Sequence, residues 1–334
     1  MTKAVSAIKT VLGIESTAHT FGIGIARSTK GKREILANQL AKFPTTGKGY
    51  LPRELAEHHA EKYSSLVSAA LQEAKISFSD LSAIAYSQGP GMGHCLETGY
   101  SAALDLSTLL KIPLIPVNHA VAHVQIVRHY SPCNDPLIVY VSGGNTQILF
   151  RQGKRFHVLG ETLDIGLGNF LDQLGRVLKL VPPDAVGVLT EAATPGAKLI
   201  EFPYVVKGMS TSYSGMLTYI QRLARQHSAS DICFSAQETS FAALCEASER
   251  ALLHSRKNQV LLCGGNGRNR RLQQMVRLMA EGQNASFHVG PDPVLGDNAA
   301  MIAYTGLLQF EAGKISRHKT PVQDQRIDSV DVVW

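Results

Sequence analysis

Two widely separated stretches of the chain share one pattern, and this repetition limits the possible folds more than any other feature. In residues 9–26, two apolar runs flank the polar turn STAH, and in residues 136–150 the runs LIVYV and QILF flank the polar loop SGGNT. Each pattern predicts a strand, a tight loop and an antiparallel strand. Because each hairpin begins one half of the chain, we expect a duplicated architecture.

Strand and helix patterns alternate after both hairpins. Helical spacing of apolar residues, or an Ala- and Leu-rich composition, predicts helices over residues 53–74, 96–110, 119–129, 164–180, 235–253, 270–280 and 298–310. Short apolar runs predict buried strands over residues 83–87, 113–117, 259–263 and 286–289. This alternation favours an α/β protein of two similar lobes with a ligand cleft between them.

The composition is consistent with two folded lobes. The chain has 334 residues, of which 44% are hydrophobic and 18% charged, and this balance excludes a disordered chain. No run of about 18 apolar residues predicts a membrane span, and residues 1–10 do not resemble a leader peptide. Five scattered cysteines without a C-x-x-C pair predict reduced, intracellular thiols. The net charge of +6 permits a nucleic-acid partner without identifying one.

His119 and His123 lie four residues apart on a predicted helix that Asn118 can cap, so that both imidazoles can bind one metal ion. Asp297, in a turn before a late helix, and Tyr140, at the end of a core strand, are suitable oxygen donors. An isolated H-x-x-x-H pair is more often structural, so this hypothesis depends on the rest of the chain. The pair also lacks the glutamate of the H-E-x-x-H zinc proteases, which argues against a protease.

Glycine-rich turns suggest a nucleotide site. The sequence GGNGRN follows a predicted strand and precedes a helix, which suits an adenine or ribose packed against bare backbone. The hairpin turns Ser16-Thr17 and SGGNT supply hydroxyl and N–H groups for phosphate oxygens. Each element alone is an ordinary turn, but together they describe the nucleotide-binding fold of actin, sugar kinases and Hsp70.

The motifs then resemble one known family, in the same order from about residue 12 to residue 334. The matching runs are GIESTAHTFGIGIA, HHAEKYSSLVSAAL, SQGPGMGHCLETGYSAAL, PVNHAVAH, VYVSGGNTQIL, ETLDIGLGNFLD, QETSFAAL, CGGNGRNRRLQQM and GDNAAMIAYTG. They are similar to the tRNA threonylcarbamoyltransferases, and more narrowly to the archaeal and eukaryotic branch. That branch is the catalytic subunit of the KEOPS complex, formerly described as an O-sialoglycoprotein endopeptidase.

The resemblance implies a fold and its division into lobes. It implies the two-lobed, actin-like ATPase fold of the sugar kinase, Hsp70 and actin superfamily, with duplicated RNase H-like lobes. Residues 1–134 would form the N-terminal lobe with the first phosphate loop and the H-x-x-x-H motif. Residues 135–295 would form the C-terminal lobe with the second phosphate loop and the adenosine motif. Residues 296–334 would carry the aspartate ligand and return to the N-terminal lobe.

The resemblance also implies an activity. Such enzymes transfer threonylcarbamoyl from threonylcarbamoyl-AMP to N6 of the adenosine 3′ of the anticodon, in tRNAs that read codons starting with A. The implied cofactors are one divalent metal, with iron preferred and zinc as the alternative, and an adenine nucleotide, either threonylcarbamoyl-AMP or ATP. The implied partners are tRNA and three KEOPS subunits: a small kinase-like subunit, a dimerising subunit and a small adaptor. The implied location is the cytoplasm.

The motifs carry over specific residues. The metal ligands would be His119, His123, Tyr140 and Asp297, with His119, His123 and Asp297 acting in catalysis through the metal. The nucleotide contacts would be Ser142, Gly143, Gly144, Asn145, Thr146, Asp164, Gly168, Asp172 and Asn269. Four further residues could handle threonine or the amine proton: Glu15, His19, His58 and His59. For His58 and His59, packing is an equally good explanation.

Two segments depart from the family pattern. Where relatives carry a Gly-Gly-Pro loop and a ribose-binding glutamate, this chain reads LVPPDAVG at residues 180–187. Either Asp184 or Glu191 replaces the lost contact, or the ribose is held less firmly. The usual Asp-x-Ser-Phe-Ser-Gly segment is STSYSG at residues 210–215, which lacks the carboxylate. The alternatives are therefore an actin-like ATP-binding or ATPase module with weak or no transfer activity, and the older metalloprotease reading.

Overall fold

The computed structural model describes residues 8–44, 50–315, 320–332 and 334, so most of the segment considered for a leader peptide lies outside the described residues. The chain divides into two compact units. Unit 1 comprises residues 1–130 and 297–334, and unit 2 comprises residues 131–296. The functional lobes predicted from the sequence, divided after residues 134 and 295, stay a prediction.

Most strands of the described residues belong to two five-stranded sheets. In chain order they are β1 (Lys9–Glu15), β2 (Thr20–Thr29), β3 (Lys32–Lys42), β4 (Ala83–Gly89), β5 (Leu114–Asn118), β6 (Leu137–Val141), β7 (Thr146–Gln152), β8 (Arg155–Glu161), β9 (Val205–Lys207), β10 (Ser210–Ser212), β11 (Gln259–Cys263) and β12 (Ser286–Val289).

Helices alternate with these strands, as the sequence pattern predicts. They are α1 (Pro52–Ala74), α2 (Gly93–Leu110), α3 (His119–Tyr130), α4 (Leu167–Val177), α5 (Ala185–Ala192), α6 (Ser214–Leu223), α7 (Ala229–Ser255), α8 (Arg270–Gly282), α9 (Asp292–Leu295) and α10 (Ala299–Glu311). No helix among the described residues is both long enough and apolar enough to cross a membrane.

The two main sheets have the same topology. In unit 1 the strand order is β3-β2-β1-β4-β5, with β1 antiparallel to β2 and parallel to β4. In unit 2 the order is β8-β7-β6-β11-β12, with β6 antiparallel to β7 and parallel to β11. The predicted duplication is therefore confirmed. Each predicted hairpin supplies the first two strands, in sequence order, of its own sheet.

Helix α10 packs closely on the sheet of unit 1, although the whole of unit 2 separates it from that sheet in sequence. A Cβ atom on Gly13 of β1 would lie 2.2 Å from the backbone nitrogen of Ala303, and one on Gly24 of β2 would lie 2.4 Å from the carbonyl carbon of Ala299. Only glycine permits such an approach of helix to strand. This packing holds the N-terminal end of α10 against β2.

The sequence pattern located most elements but missed several others, among them helices α5 and α6 and the short strands β9 and β10. The predicted helix over residues 164–180 begins only at Leu167, because residues 162–166 form a loop organised by Asp164. The edge strands β3 and β8 were not predicted. Both are amphipathic and partly exposed, and β3 reads KREILANQLAK with charged residues at both ends. Edge strands show less of the apolar alternation that identifies a strand.

Candidate metal and nucleotide sites

The two histidines of the H-x-x-x-H pair lie in the first turns of helix α3. The side-chain oxygen of Asn118 accepts a hydrogen bond from the Val121 amide at 3.0 Å and so caps the helix, as predicted. The helix starts at His119, and His123 follows one turn later on the same face. Both histidines are buried.

Asp297 directly precedes helix α10. Asn298 is the capping residue, since its side chain accepts a hydrogen bond from the Met301 amide at 2.9 Å and has no exposed surface. Asn38 on β3 accepts from the Ala299 and Ala300 amides as well, at 3.1 and 3.0 Å. These bonds fix the N-terminal end of α10 within unit 1, and with it the position of the Asp297 carboxylate.

The structure brings three of the four predicted metal ligands together. His123 Nε2 lies 3.2 Å from His119 Nε2 and 3.3 Å from Asp297 Oδ1. His119 Nε2 lies 3.5 Å from the same carboxylate oxygen. One donor atom from each residue lies within 4.8 Å of the other two. Two imidazole nitrogens and a carboxylate oxygen are a donor set that suits iron or zinc, so the residues present fit a divalent ion.

Charge reinforces this cluster. Burial disfavours the His119 imidazolium, but the nearby charge of Glu15 and the hydrogen bonds to Asp297 and Glu15 outweigh that effect and raise the pKa of His119 to about 10. Burial lowers the pKa of His123, partly offset by its hydrogen bond to Asp297. Burial raises the pKa of Asp297, but the two histidine hydrogen bonds outweigh this effect and hold it well below its usual range. A metal ion bound at Nε2 would displace the His119 proton.

Glu15 lies directly behind this cluster, at the end of β1. Its side chain has no exposed surface, and His119 Nδ1 donates to its Oε2 at 3.0 Å. Its other oxygen, Oε1, accepts from the Thr17 amide at 2.7 Å and from the Thr17 hydroxyl at 2.5 Å. Both oxygens are therefore held by protein donors, which does not fit the predicted role of Glu15 in handling threonine or the amine proton.

The remaining histidines of the first hairpin and helix α1 form an aromatic cluster. His59 is fully buried, and its Nε2 donates to the Ala18 carbonyl oxygen at 2.9 Å. Burial, only partly offset by this hydrogen bond, lowers the pKa of His59 to about 4. His19 stacks on Tyr50 with ring centroids 5.2 Å apart, and His58 lies edge-on to the His59 ring at 5.7 Å. His59 thus supports the hairpin loop as a neutral packing residue, which was one of the two interpretations.

Tyr140, the fourth predicted metal ligand, belongs to unit 2. It lies on β6, opposite Gln147 of β7 and Cys263 of β11, and 1% of its surface is exposed. Its role as a metal ligand stays a prediction.

The predicted nucleotide loops lie side by side at one edge of the sheet in unit 2. The SGGNT loop follows β6, and the GGNGRN turn follows β11, which is parallel to β6 with Cys263 opposite Tyr140. Ligands of open α/β sheets bind at such carboxyl ends of parallel strands. A Cβ atom on Gly144 would meet nothing within 4 Å, whereas one on Gly264 would lie 2.5 Å from the Val141 carbonyl oxygen. The SGGNT loop thus leaves bare backbone accessible.

This loop also packs on the beginning of helix α4. Asn169 N donates to the Gly143 carbonyl oxygen at 2.9 Å, and Leu167 N donates to the Thr146 hydroxyl at 2.9 Å. A Cβ atom on Gly168 would lie 2.7 Å from the Gly143 Cα atom. Within the loop, the Asn145 amide donates to the Ser142 hydroxyl at 3.1 Å. The loop and the N-terminus of α4 are therefore packed together, an arrangement that suits a phosphate group.

Asp164 has a structural task in unit 2. Its carboxylate accepts hydrogen bonds from the Tyr213 and Ile165 amides at 3.0 and 2.7 Å, and from the Ser212 hydroxyl at 2.6 Å; Ser214 also donates to it. Although partial burial raises the pKa of Asp164, these hydrogen bonds outweigh it and hold the pKa far below its usual range. The STSYSG segment that departs from the family pattern is thus tied to this residue.

Three further polar residues of the predicted nucleotide site and ribose loop also bind backbone. Asp172 accepts from the Ala185 amide at 2.9 Å, and Asp184 caps α5 by accepting from the Val186 amide at 2.9 Å. Asn269 caps α8 by accepting from the Leu272 amide at 2.9 Å. These side chains shape the loops.

Four arginines of the segment after the glycine turn bind neighbours within unit 2. Arg268 Nε donates to the Asp292 carbonyl oxygen at 2.8 Å, and Arg270 pairs with the Asp292 carboxylate at 2.8 Å. Arg271 pairs with Glu238 at 2.5 Å, and Arg277 lies over the Phe287 ring at 4.8 Å. The segment therefore offers less unpaired positive charge to a phosphate than its sequence suggests.

Comparison with known proteins assigns the chain to a family. The family TsaD, described as tRNA N6-adenosine threonylcarbamoyltransferase, matches residues 32–304. The chain belongs to this family. A tRNA N6-adenosine threonylcarbamoyltransferase of Thermococcus sibiricus is 44% identical over 97% of this chain and 99% of its own length. Membership of the family makes the chain a transferase that modifies tRNA, as its motifs predicted.

Solved structures agree with the predicted fold. HypF from T. kodakarensis has a TM-score of 0.64 at 15% identity, over 96% of this chain and 50% of that protein. The activator of the 2-hydroxyisocaproyl-CoA dehydratase from Clostridium difficile has a TM-score of 0.52 at 13% identity, over 91% of this chain and 97% of that protein. Both have the actin-like ATPase fold, so the predicted fold class is confirmed.

Sequence reasoning missed one group of contacts at the metal cluster of unit 1. Gln325 in the C-terminal segment accepts a hydrogen bond from the Asn118 side chain at 3.1 Å and donates to Gln88 Oε1 at 2.9 Å. The C-terminal segment thus holds the capping residue of the histidine helix. No local pattern around residue 325 indicates this role, since the contact spans 207 residues.

Proposed function

We propose that this chain transfers threonylcarbamoyl from threonylcarbamoyl-AMP to N6 of the adenosine 3′ of the anticodon, in tRNAs that read codons starting with A. The observation that carries the proposal is the buried cluster of His119, His123 and Asp297 in unit 1. His123 lies 4 positions after His119 and 174 positions before Asp297 in the chain, yet the donor atoms of all three lie close together. Membership of the tRNA N6-adenosine threonylcarbamoyltransferase family supports the same reaction.

The three residues would hold one divalent ion through His119 Nε2, His123 Nε2 and Asp297 Oδ1, with Tyr140 as the fourth predicted ligand. Iron is the preferred ion and zinc the alternative, because imidazole, phenolate and carboxylate ligands suit both. A bound ion would act as a Lewis acid that polarises the carbamoyl carbonyl. The protein's own contribution is to hold the two imidazoles and the carboxylate in one buried position.

The adenylate would bind unit 2 chiefly through backbone groups. The accessible backbone at Gly143 and Gly144 and the N-terminus of α4 suit its phosphate. In the reaction, N6 bonds to the carbamoyl carbon, the bond from that carbon to the AMP phosphate oxygen breaks, and N6 loses a proton. No covalent intermediate on the protein is required, because the donor is already activated as a mixed anhydride.

By the resemblance, turnover would require tRNA and the three KEOPS partners in the cytoplasm. The paired arginines of the α8 segment support this dependence, because a surface with few unpaired cations binds phosphate weakly by itself.

Two other functions remain as alternatives. An actin-like ATP-binding or ATPase module with weak or no transfer is favoured by the altered ribose loop, where Asp184 serves as a helix cap. The metalloprotease alternative has the metal cluster in its favour but lacks the general base of H-E-x-x-H.

The test is transfer of labelled threonine to unmodified tRNA, with bicarbonate, ATP, the carbamoyl-adenylate synthase and the partner subunits present. Wild type is compared with His123→Ala, Asp297→Ala and Tyr140→Phe. The control is His129→Gln, which lies on the same helix but packs on Tyr304 at a ring distance of 4.6 Å.

We expect product with wild type and His129→Gln, and a loss of more than about 100-fold with His123→Ala and Asp297→Ala. ATP hydrolysis without any product on tRNA would support the ATPase module instead. Metal-dependent peptide cleavage that disappears in His123→Ala would support the protease.

A further inference from the structure

We propose that Glu15 is a positioning residue for the metal site, which sets the proton of His119 on Nδ1 and so directs the lone pair of Nε2 toward the metal. The inference rests on the proposed function, because it presumes a metal ion at His119, His123 and Asp297. It concerns a residue that touches neither the ion nor the substrate.

The hydrogen bond between Glu15 and His119 can have only one direction. The Glu15 carboxylate offers acceptors only, so the 3.0 Å contact between its Oε2 and His119 Nδ1 requires a hydrogen on Nδ1. A metal-bound imidazole is neutral and has one N–H, and its other nitrogen is then the one that binds the ion. The Nε2 atom of His119 is therefore the ligating atom, and it is the atom that faces His123 Nε2 at 3.2 Å.

The side chain of Glu15 is held rigidly. Its side chain has no exposed surface, and Oε1 is held by the backbone N–H and the hydroxyl of Thr17 at 2.7 and 2.5 Å. The Thr17 hydroxyl also lies 3.3 Å from His119 Nδ1. β1 pairs with β2 through Glu15, opposite Gly22, so the backbone of Glu15 is fixed by the sheet. The carboxylate therefore cannot turn away from His119 without losing all these bonds.

The Glu15 carboxylate affects how strongly His119 binds a metal ion. A carboxylate that accepts from the distal N–H of a ligating histidine orients the ring and increases its basicity, and loss of such a partner typically costs 10–100-fold in metal affinity. Burial of Glu15 strengthens the effect, because water cannot replace the missing acceptor.

The isosteric variant Glu15→Gln tests this hydrogen-bond logic directly. An amide has one acceptor oxygen and one donor NH2 group. The Thr17 N–H can only donate, so the amide oxygen must face it, and the NH2 group then faces His119 Nδ1. Nδ1 has to accept in that arrangement, which moves the imidazole hydrogen to Nε2. In the neutral ring that has to bind the metal, the variant thus places the one hydrogen on the ligating atom, while the side-chain volume stays the same.

The experiment is Zn²⁺ binding by the full chain, measured by competition with a chromogenic chelator at neutral pH. The matched control is Thr10→Val, which removes a fully buried polar group at the other end of the same strand. Both changes are repeated in a His119→Ala background, and thermal unfolding is recorded for every variant.

We expect Glu15→Gln to raise the Kd for Zn²⁺ by about 10–100-fold in the wild-type background and to leave it unchanged in the His119→Ala background. Thr10→Val should change neither. An unchanged Kd in folded Glu15→Gln overturns the inference, and so does an equal loss in both backgrounds, because the effect would then not act through His119.

Two further outcomes can be distinguished from a failure of the inference. If wild type itself binds no Zn²⁺, the metal site of the proposed function is wrong. If Glu15→Gln does not fold, Thr17→Val takes its place, since it removes one of the two donors that hold Oε1. Its rise in Kd should be smaller and should vanish in the His119→Ala background, and a rise that persists there contradicts the inference.

Discussion

The candidate sites of units 1 and 2 are built from different chemical groups. In unit 1, the donor atoms of His119, His123 and Asp297 converge on one another, and Glu15 supports them from behind. In unit 2, the polar side chains of the predicted nucleotide site, such as Asp164 and Asn269, bind the protein's own backbone. The accessible groups there are backbone atoms of the glycine loop.

The difference teaches how each site tolerates change. A site made of side chains is destroyed by replacing a single ligand, whereas a site made of backbone is sensitive to steric displacement of the loop. Under the proposed function, this distinction explains how unit 2 can depart from the family pattern at residues 180–187 and 210–215 while the predicted metal ligands of unit 1 are present. Four predictions test the comparison.

The largest effect is expected for Asp297→Asn. The change removes the only negatively charged donor among the three clustered ligands, and we expect Zn²⁺ affinity to fall by more than about 100-fold. AMP binding, which we assign to unit 2, should stay unchanged in calorimetry. Asp105→Asn, an exposed position on α2 in unit 1, is the control. A parallel loss of AMP affinity would show that the two sites are not independent.

The acid sensitivity of unit 1 provides the second test. His59 has a pKa of about 4 in the folded chain and about 6.5 when unfolded, so the unfolded state binds more protons between these values and stability falls as the pH drops from about 6.5 to about 4. At about 1.4 kcal/mol per pH unit over this range of about 2.5 units, the loss is at most about 3.5 kcal/mol.

His59→Gln removes this titration while its amide still donates to the Ala18 carbonyl oxygen. Urea unfolding at pH 7 and pH 4.5 measures the effect, and the variant should have the shallower dependence on pH. Equal slopes for wild type and variant would contradict the burial-driven shift of His59.

The third test displaces the loop of unit 2 by a single methyl group. In Gly168→Ala the new Cβ would lie 2.7 Å from Gly143 Cα, so the loop must move, and we expect a loss of about 1–3 kcal/mol in stability and a clear loss of AMP affinity. Gly215→Ala is the matched control, since it also lies in the first turn of a helix and its Cβ meets nothing within 4 Å. AMP affinity that is the same in both variants would argue against a backbone site.

The smallest effect is expected for Asp164→Asn. The neutral amide keeps the shape but weakens the hydrogen bonds from Ser212, Tyr213 and Ser214, and because the group is largely exposed we expect a loss of about 1 kcal/mol at pH 7. The folded pKa of Asp164 is depressed, so its contribution is present above the unfolded pKa near 4 and disappears as the pH falls below it.

Chemical denaturation at pH 7 and pH 3 measures this difference. Wild type and Asp164→Asn should differ at pH 7 and become more alike at pH 3. A difference that is the same at both values would mean that the charge of Asp164 is not what organises the STSYSG segment.

Much of the fold and part of the site could be predicted from local patterns. The strand at residues 286–289 has the predicted bounds, and Asn118 caps the histidine helix as expected. The histidine pair needs only one helical turn to share a face, so its spacing was sufficient. Asp297 was proposed by its residue type and family motif, and its meeting with His123 across 174 residues depends on the close packing of α10 on β1 and β2.

The sequence by itself determined the alternation of strands and helices, their duplication in two halves, the paired histidines and the glycine turns, because each of these follows from spacing within one segment. Only the tertiary structure decided which polar groups serve the site and which serve the fold. Glu15 meets His119 across 104 residues and Asp164 meets Ser214 across 50, so burial and hydrogen-bond partners, which no local pattern contains, assigned their roles.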